Sequence, residues 1–161
     1  IVEKNLNGFE VGKPENKLGI RSSDTCELYF ENVKVPIENL IGKEGEGFKI
    51  ALATLDGGRI GIAAQALGIA QASLNSSVSY SKERIQFGKP IAANQAIQFK
   101  IADMAMEIEA ARLLVWQAAW IKDQKQNYSN VASMAKVYAS EVAMRASTQC
   151  VQIHGGYGYG N

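Results

Sequence analysis

One histidine, two cysteines and three prolines are all that 161 residues hold of these types, and each scarcity closes off a kind of chemistry. Cys26 and Cys150 stand far apart without a second pair, and no Cys-x-x-Cys or histidine cluster offers metal-ligand spacing, which excludes a disulfide scaffold and a structural zinc site. Two buried thiols in a reducing compartment are the expectation. An excess of one charge is also missing: 17 Lys and Arg against 16 Asp and Glu leave +1, so no surface-wide field recruits nucleic acid or acidic lipid. Any anion must be met locally. There is no apolar run of the roughly 18 residues that a membrane span needs, and the first residues, IVEKNLNGFE, lack the basic-then-apolar order of a signal peptide. We therefore expect no membrane segment and no address. Internal repeats and low-complexity tracts are absent as well.

What is there is a 47% apolar chain, enough for one ordinary globular domain or for a piece of something larger. All prolines (Pro14, Pro36, Pro90) fall in the first 90 residues, and the remainder reads as long helix. In DTCELYFENVKVP, Cys26, Leu28 and Phe30 alternate with Glu27, Tyr29 and Glu31, the period of a half-buried strand that Pro36 closes. We place a boundary here, with residues 1–41 a short β segment and 42–161 a mainly α, antiparallel helical bundle. Phe48, Ala51, Leu52, Leu55, Ile62, Ala66, Ile69 and Leu74 recur at helical spacing and predict a helix toward Arg84 that ends at FGKP, with Gly88 left-handed and Pro90 unable to continue. Asp56-Gly57-Gly58 is its weak point.

A second helix is predicted from Ile97, Ile101, Met104, Ile108, Ala111, Val115 and Ala118, with Asn94 as its N-cap. Phe99, Met106, Leu113 and Trp120 form another stripe at intervals of seven, so this helix should bury two faces, one against a partner subunit. The third starts near Ser129 or Asn130, passes through Met134, Val137, Val142 and Ala146, and ends at Gly155-Gly156.

Each candidate site has a structural alternative. Gly155 to Gly160 reads first as a helix cap and loop; the G-x-x-x-x-G spacing is not a phosphate loop, because Asn161 stands where lysine is required and a helix precedes it. His154, in a helix's last turn, suits the terminal carbonyls better than catalysis. Arg84, near a helix end, can cap carbonyls or fork toward a diphosphate. Asp56 and Arg59 make an i, i+3 ion pair or a polar cradle. The intervening glycines cost a helix roughly 2 kcal/mol, which suggests a close approach to the backbone there.

Four stretches in order, KLGIRSSDTCELYFENVKVP, LDGGRIGIAAQALGIAQASL, RIQFGKPI and QIHGGYGY, resemble the acyl-CoA dehydrogenase family, closest in wording to its short-chain, butyryl-CoA type. The resemblance covers essentially the whole chain: the end of the family's middle β-domain, then most of its C-terminal helical domain. It implies an FAD enzyme, usually a homotetramer built as a dimer of dimers, that desaturates an acyl-CoA between its α and β carbons and passes electrons to an electron-transfer flavoprotein. Such an enzyme is cytoplasmic in a bacterium and in the mitochondrial matrix of a eukaryote, and it engages neither nucleic acid nor membrane.

By the same resemblance, Arg84, Gln86 and Phe87 contact the FAD of a neighbouring subunit, with Gln95 also at that cofactor. Gln152, Ile153, His154, Gly155 and Gly156 line the FAD, while Asp56, Gly57, Gly58 and Arg59 meet the acyl-CoA. Members use a glutamate as base; in most it follows the GGYGY stretch, and in a minority it stands immediately before the substrate arginine, here Gly58. No catalytic residue and no metal ligand is thus expected within the chain, and the base is expected beyond Asn161 in a longer protein. An oxidase of the same superfamily and a non-catalytic helical assembly module are the alternatives.

Overall fold

Alternation in DTCELYFENVKVP produces a strand, but a short one. In the computed structural model, which describes residues 1–160, β2 (Leu28–Phe30) pairs antiparallel with β1 (Phe9–Val11), an unforeseen partner, in the register Phe9 to Phe30, Glu10 to Tyr29 and Val11 to Leu28. Phe9 and Phe30 lie with ring centroids 5.1 Å apart, a cross-strand pair of the kind that sets register. The half-buried reading is corrected: Leu28, Tyr29 and Phe30 are all exposed, because a two-stranded ribbon has no second layer of its own to bury a face against. The thiols differ from expectation too, since Cys26 and Cys150 are free but only half-buried.

The chain divides into two units, Ile1–Ile50, which holds this ribbon, and Ala51–Asn161. In the second lies most of α1 (Gly47–Glu83), then a hairpin of β3 (Ile85–Gln86) and β4 (Lys89–Pro90), then α2 (Gln95–Asp123) and α3 (Ser129–His154). α1 runs without a break through Gly57 and Gly58, so their low propensity is overridden, as happens when packing rather than propensity stabilises a helix. Asn94 does occupy the cap position before α2, but its side chain makes no cap bond; its carbonyl accepts from the N–H groups of Ile97 and Gln98 at 3.0 and 3.1 Å.

One apolar cluster joins the three helices. α2 turns Met104, Ile108, Ala111, Val115 and Ala118 inward with Ile97 and Ile101 at its edge, the stripe its periodicity predicts. On α1 the buried residues are Ala63, Ala66, Leu67 and Ala70, whereas Phe48, Leu52, Leu55, Ile62 and Ile69 are exposed. On α3 the inward face is Val131, Ala135, Ala139, Val142, Ala143, Ala146 and Ile153; of the apolar residues that marked this helix in the sequence, Met134 and Val137 are exposed. The reason is steric. The core side of α3 meets α2 through alanines, which let backbones approach, and the larger residues are left on the open face.

Polar groups at the seam are satisfied, as burial demands. The buried Ser77 and Ser81 hydroxyls donate to the carbonyls of Ser73 (2.7 Å) and Val78 (3.0 Å). Arg112 of α2 reaches Gln71 of α1 at 2.6 Å, and Arg145 of α3 bonds Glu107 of α2 at 3.1 Å. Ile108 is among the largest fully buried side chains, so Ile108→Ala is expected to lower stability by about 2 to 5 kcal/mol. Chemical denaturation of the chain and its variant measures this; a loss under about 1 kcal/mol would mean that the cluster is not tightly packed.

Candidate functional site

The end of α1, the hairpin and the end of α3 converge. α1 stops at Glu83, with the Arg84 N–H still bonded to the Tyr80 carbonyl at 2.8 Å. Phe87 (φ 53°) and Gly88 (φ 79°) then make a two-residue turn with both φ positive, the arrangement that matches strand twist. Gly88 is left-handed as expected, but it serves this hairpin and not a helix cap, a correction that follows from Phe87 sharing the conformation. The Ile91 N–H closes the loop on the Arg84 carbonyl at 2.9 Å.

α3 ends on Gly155 at φ 58°, and residues Gly155–Gly158 form a 3-10 turn. At Gly158 a Cβ would lie 2.6 Å from the Val151 carbonyl oxygen, so no larger residue fits without moving the turn. At Gly155 and Gly156 a Cβ would meet nothing within 4 Å. Their bare backbone faces open space, the condition for a ligand to approach closely.

Between these elements lies an open groove of about 590 Å³. Arg84, Gln86, Ile153, His154, Gly155 and Gly156 line it together; Tyr80 and Ile91, which sequence reasoning missed, and Tyr157 and Gly160, which it read as cap and loop, complete it. Arg84 is its guanidinium; no carboxylate lines it among the described residues. The Arg84 Cζ sits 5.4 Å from the centre of the Tyr157 ring. His154 is stacked on Tyr80 with centroids 4.3 Å apart, and its Nδ1 is 2.8 Å from the Cys150 carbonyl. A carbonyl only accepts, so Nδ1 carries the proton, and in the neutral ring Nε2 accepts from the Ser76 hydroxyl at 3.2 Å. The histidine binds a helix carbonyl, as its place in the last turn suggests.

Three of the predicted cofactor residues lie elsewhere. Gln152 and His154 are two positions apart on α3, roughly 200° around a helix, and Gln152 lines a second groove of about 560 Å³ with Thr148, Val151 and Tyr159, sharing Gly155 and Gly156 with the first. Phe87 is 97% exposed at the hairpin tip, and Gln95 is exposed at the first residue of α2.

Asp56 and Arg59 form the i, i+3 ion pair. A Cβ on Gly57 would come 3.4 Å from Lys122 Nζ and 3.8 Å from Tyr128 Oη, and one on Gly58 would meet nothing within 4 Å. These are ordinary contact distances to the ends of flexible side chains, so neither glycine shows the close backbone approach inferred for the pair. Gly58 is the more open of the two. Arg59 and Glu83 are both on α1, and 24 residues of helix rise roughly 36 Å. Among the described residues no His, Cys, Asp and Glu group has the grouping to hold a metal ion, and no helix is long and apolar enough to cross a membrane.

The family model for the acyl-CoA dehydrogenase C-terminal domain matches residues 45–161. The chain belongs to the acyl-CoA dehydrogenase family. A solved butyryl-CoA dehydrogenase from Megasphaera elsdenii is 58% identical, with a TM-score of 0.95 over 99% of this chain and 42% of its own. The mitochondrial short-chain specific acyl-CoA dehydrogenase of Rattus norvegicus is 56% identical over 94% of this chain and 37% of its length. A solved structure of PigA with FAD and proline is 29% identical at a TM-score of 0.93, over 99% of this chain and 42% of that one. The chain thus spans less than half the length of the relatives it matches.

Proposed function

We propose that this chain is the helical part, with a short piece of the preceding β-domain, of an FAD-dependent acyl-CoA dehydrogenase acting on short acyl chains. The observation that carries this reading is the groove: one guanidinium without a carboxylate beside it, bare glycine backbone, an amide at Gln86, and aromatic and apolar walls. That donor set suits a dinucleotide, whose diphosphate needs a fork of N–H groups and whose rings need flat surfaces. When bound, the flavin supplies the hydride acceptor for the substrate's β-carbon. The residues of this chain bind and orient: Arg84 and Gln86 hold the diphosphate end, Ile153 to Gly156 follow the cofactor with their backbone, and Asp56 to Arg59 receive the acyl-CoA.

The rise of roughly 36 Å between Arg59 and Glu83 supports a shared site. That span exceeds what one flavin bridges while presenting its ring to a substrate, so the substrate segment and the Arg84 groove of one chain serve different active centres. A second copy must supply the complement, in keeping with a homotetramer and with the exposed stripe of Phe99, Met106, Leu113 and Trp120. Phe87 and Gln95 would act at that junction, and Gln152 from the adjoining groove. The reduced cofactor would pass its electrons to an electron-transfer flavoprotein.

In the complete flavoenzyme, anaerobic addition of butyryl-CoA should bleach the flavin absorbance. An unchanged spectrum with FAD bound would count against the substrate assignment, and rapid oxygen consumption during turnover would indicate an oxidase instead. Arg84→Lys should weaken FAD retention about tenfold, the scale of one charge-assisted hydrogen bond, because an ammonium cannot reproduce the planar fork. Equal flavin content in variant and parent after gel filtration would remove Arg84 from the cofactor site.

A further inference from the structure

Arg84 poses a problem that the flavin reading leaves open. A long guanidinium side chain in an open groove has many rotamers, yet a diphosphate rewards only an orientation that presents the N–H edges. No hydrogen bond or ion pair anchors the Arg84 side chain among the described residues; its one directed contact is the Tyr157 ring, 5.4 Å from Cζ. We propose that Tyr157 is a positioning residue, whose ring seats the Arg84 guanidinium so that its N–H edges face the flavin's diphosphate. This rests on the groove being the cofactor site.

The chemistry distinguishes a ring from other anchors. A carboxylate would consume the N–H fork, whereas an aromatic ring attracts the flat face of the cation through its quadrupole and leaves the in-plane N–H groups free for an anion. The groove offers the second kind of anchor, since Tyr157 lines it and no Asp or Glu does among the described residues.

The backbone that carries the ring is constrained. Tyr157 belongs to the 3-10 turn Gly155–Gly158, whose last glycine leaves no room for a Cβ beside the Val151 carbonyl. The residue before that turn, His154, is fixed across to α1 by Ser76 and Tyr80. The tyrosine is nevertheless 74% exposed. Its side chain therefore adds little to the core, and changing it separates positioning from folding.

The test is FAD binding to the complete flavoenzyme stripped of cofactor, followed by flavin fluorescence, with ADP as a probe that carries the diphosphate without the flavin. Tyr157→Phe keeps the ring and should bind both within about twofold of the parent. Tyr157→Leu should weaken both by about two- to fivefold, the range of an exposed cation–π contact, with the thermal unfolding of the apo form unchanged. In an Arg84→Gln background, Tyr157→Leu should have no further effect, because the group it positions is gone. If Tyr157→Leu binds as well as the parent or more tightly while Arg84→Gln binds weakly, the positioning role is wrong. Additive losses in the double variant, or a phenylalanine variant as weak as the leucine one, would also overturn it. Unaltered binding by Arg84→Gln alone would be a separate result, removing the diphosphate assignment on which the role depends.

Discussion

No turnover above the no-protein control is expected when these 161 residues are incubated alone with FAD, butyryl-CoA and an artificial electron acceptor. The proposed reaction needs a base to take the α-proton, and neither of the two candidate segments offers a free one. No carboxylate lines the Arg84 groove, Asp56 is committed to Arg59, and the position before Arg59 is Gly58. Loss of a general base alone costs a factor of about 10² to 10⁴. On the proposed reading a second deficit compounds it: with Asp56–Arg59 and the Arg84 groove roughly 36 Å apart along α1, one copy would not bring a hydride acceptor to its own substrate. The large exposed residues Phe99, Met106, Leu113, Trp116 and Trp120 of α2 should also drive self-association. Dye reduction by the purified chain, above control and proportional to its concentration, would show that a base lies within it.

Installing the carboxylate should reverse the first deficit. In the complete enzyme with its own catalytic glutamate neutralised, Gly58→Glu is expected to raise turnover at least tenfold over the inactive parent, a part of the factor of about 10² to 10⁴ that a positioned base supplies. The local structure favours the substitution. A Cβ at Gly58 meets nothing within 4 Å, so the new side chain has room, whereas the same change at Gly57 would set the carboxylate beside Lys122 and Tyr128. Glutamate is also the better helix former, by roughly 0.5 kcal/mol, so the variant should fold and retain flavin. Steady-state dye reduction with butyryl-CoA gives the answer, with Gly57→Glu as the paired control. Flavin-bound, folded Gly58→Glu with no gain would mean that Gly58 does not face the substrate's α-carbon.

Much of the architecture was legible before the coordinates because its signals are local. The inner stripe of α2, from Ile97 to Ala118, is a repeat of apolar residues every three or four positions, and one such repeat has one face to bury. The stop at Gly155 was readable because only glycine takes that backbone conformation readily. The ribbon in the first unit was half legible. β2 announces itself by alternation, while β1, three residues with Glu10 at the centre, is too short for any period to register. Six residues of the groove, from Arg84 to Gly156, could be named in advance through motif resemblance, since the two segments recur together in that family.

What the sequence by itself determined, then, is where the three long helices run, where α3 stops, and that Arg84 and the Gly155-Gly156 pair stand at helix ends; each follows from the periodicity or the φ preference of a few neighbouring residues. Only the tertiary structure decided which face of α1 and α3 is inside. Both carry apolar residues all round, and a choice between Met134 and Ala135, or between Ile62 and Ala63, depends on how closely another helix approaches. It alone turned Phe87 and Gly88 into a hairpin tip. It also separated Gln152 from His154 across α3, and laid Tyr157 against an arginine 73 residues earlier in the chain. Such contacts join positions remote in sequence, so no local pattern encodes them; they exist only once the end of α1 and the end of α3 pack side by side.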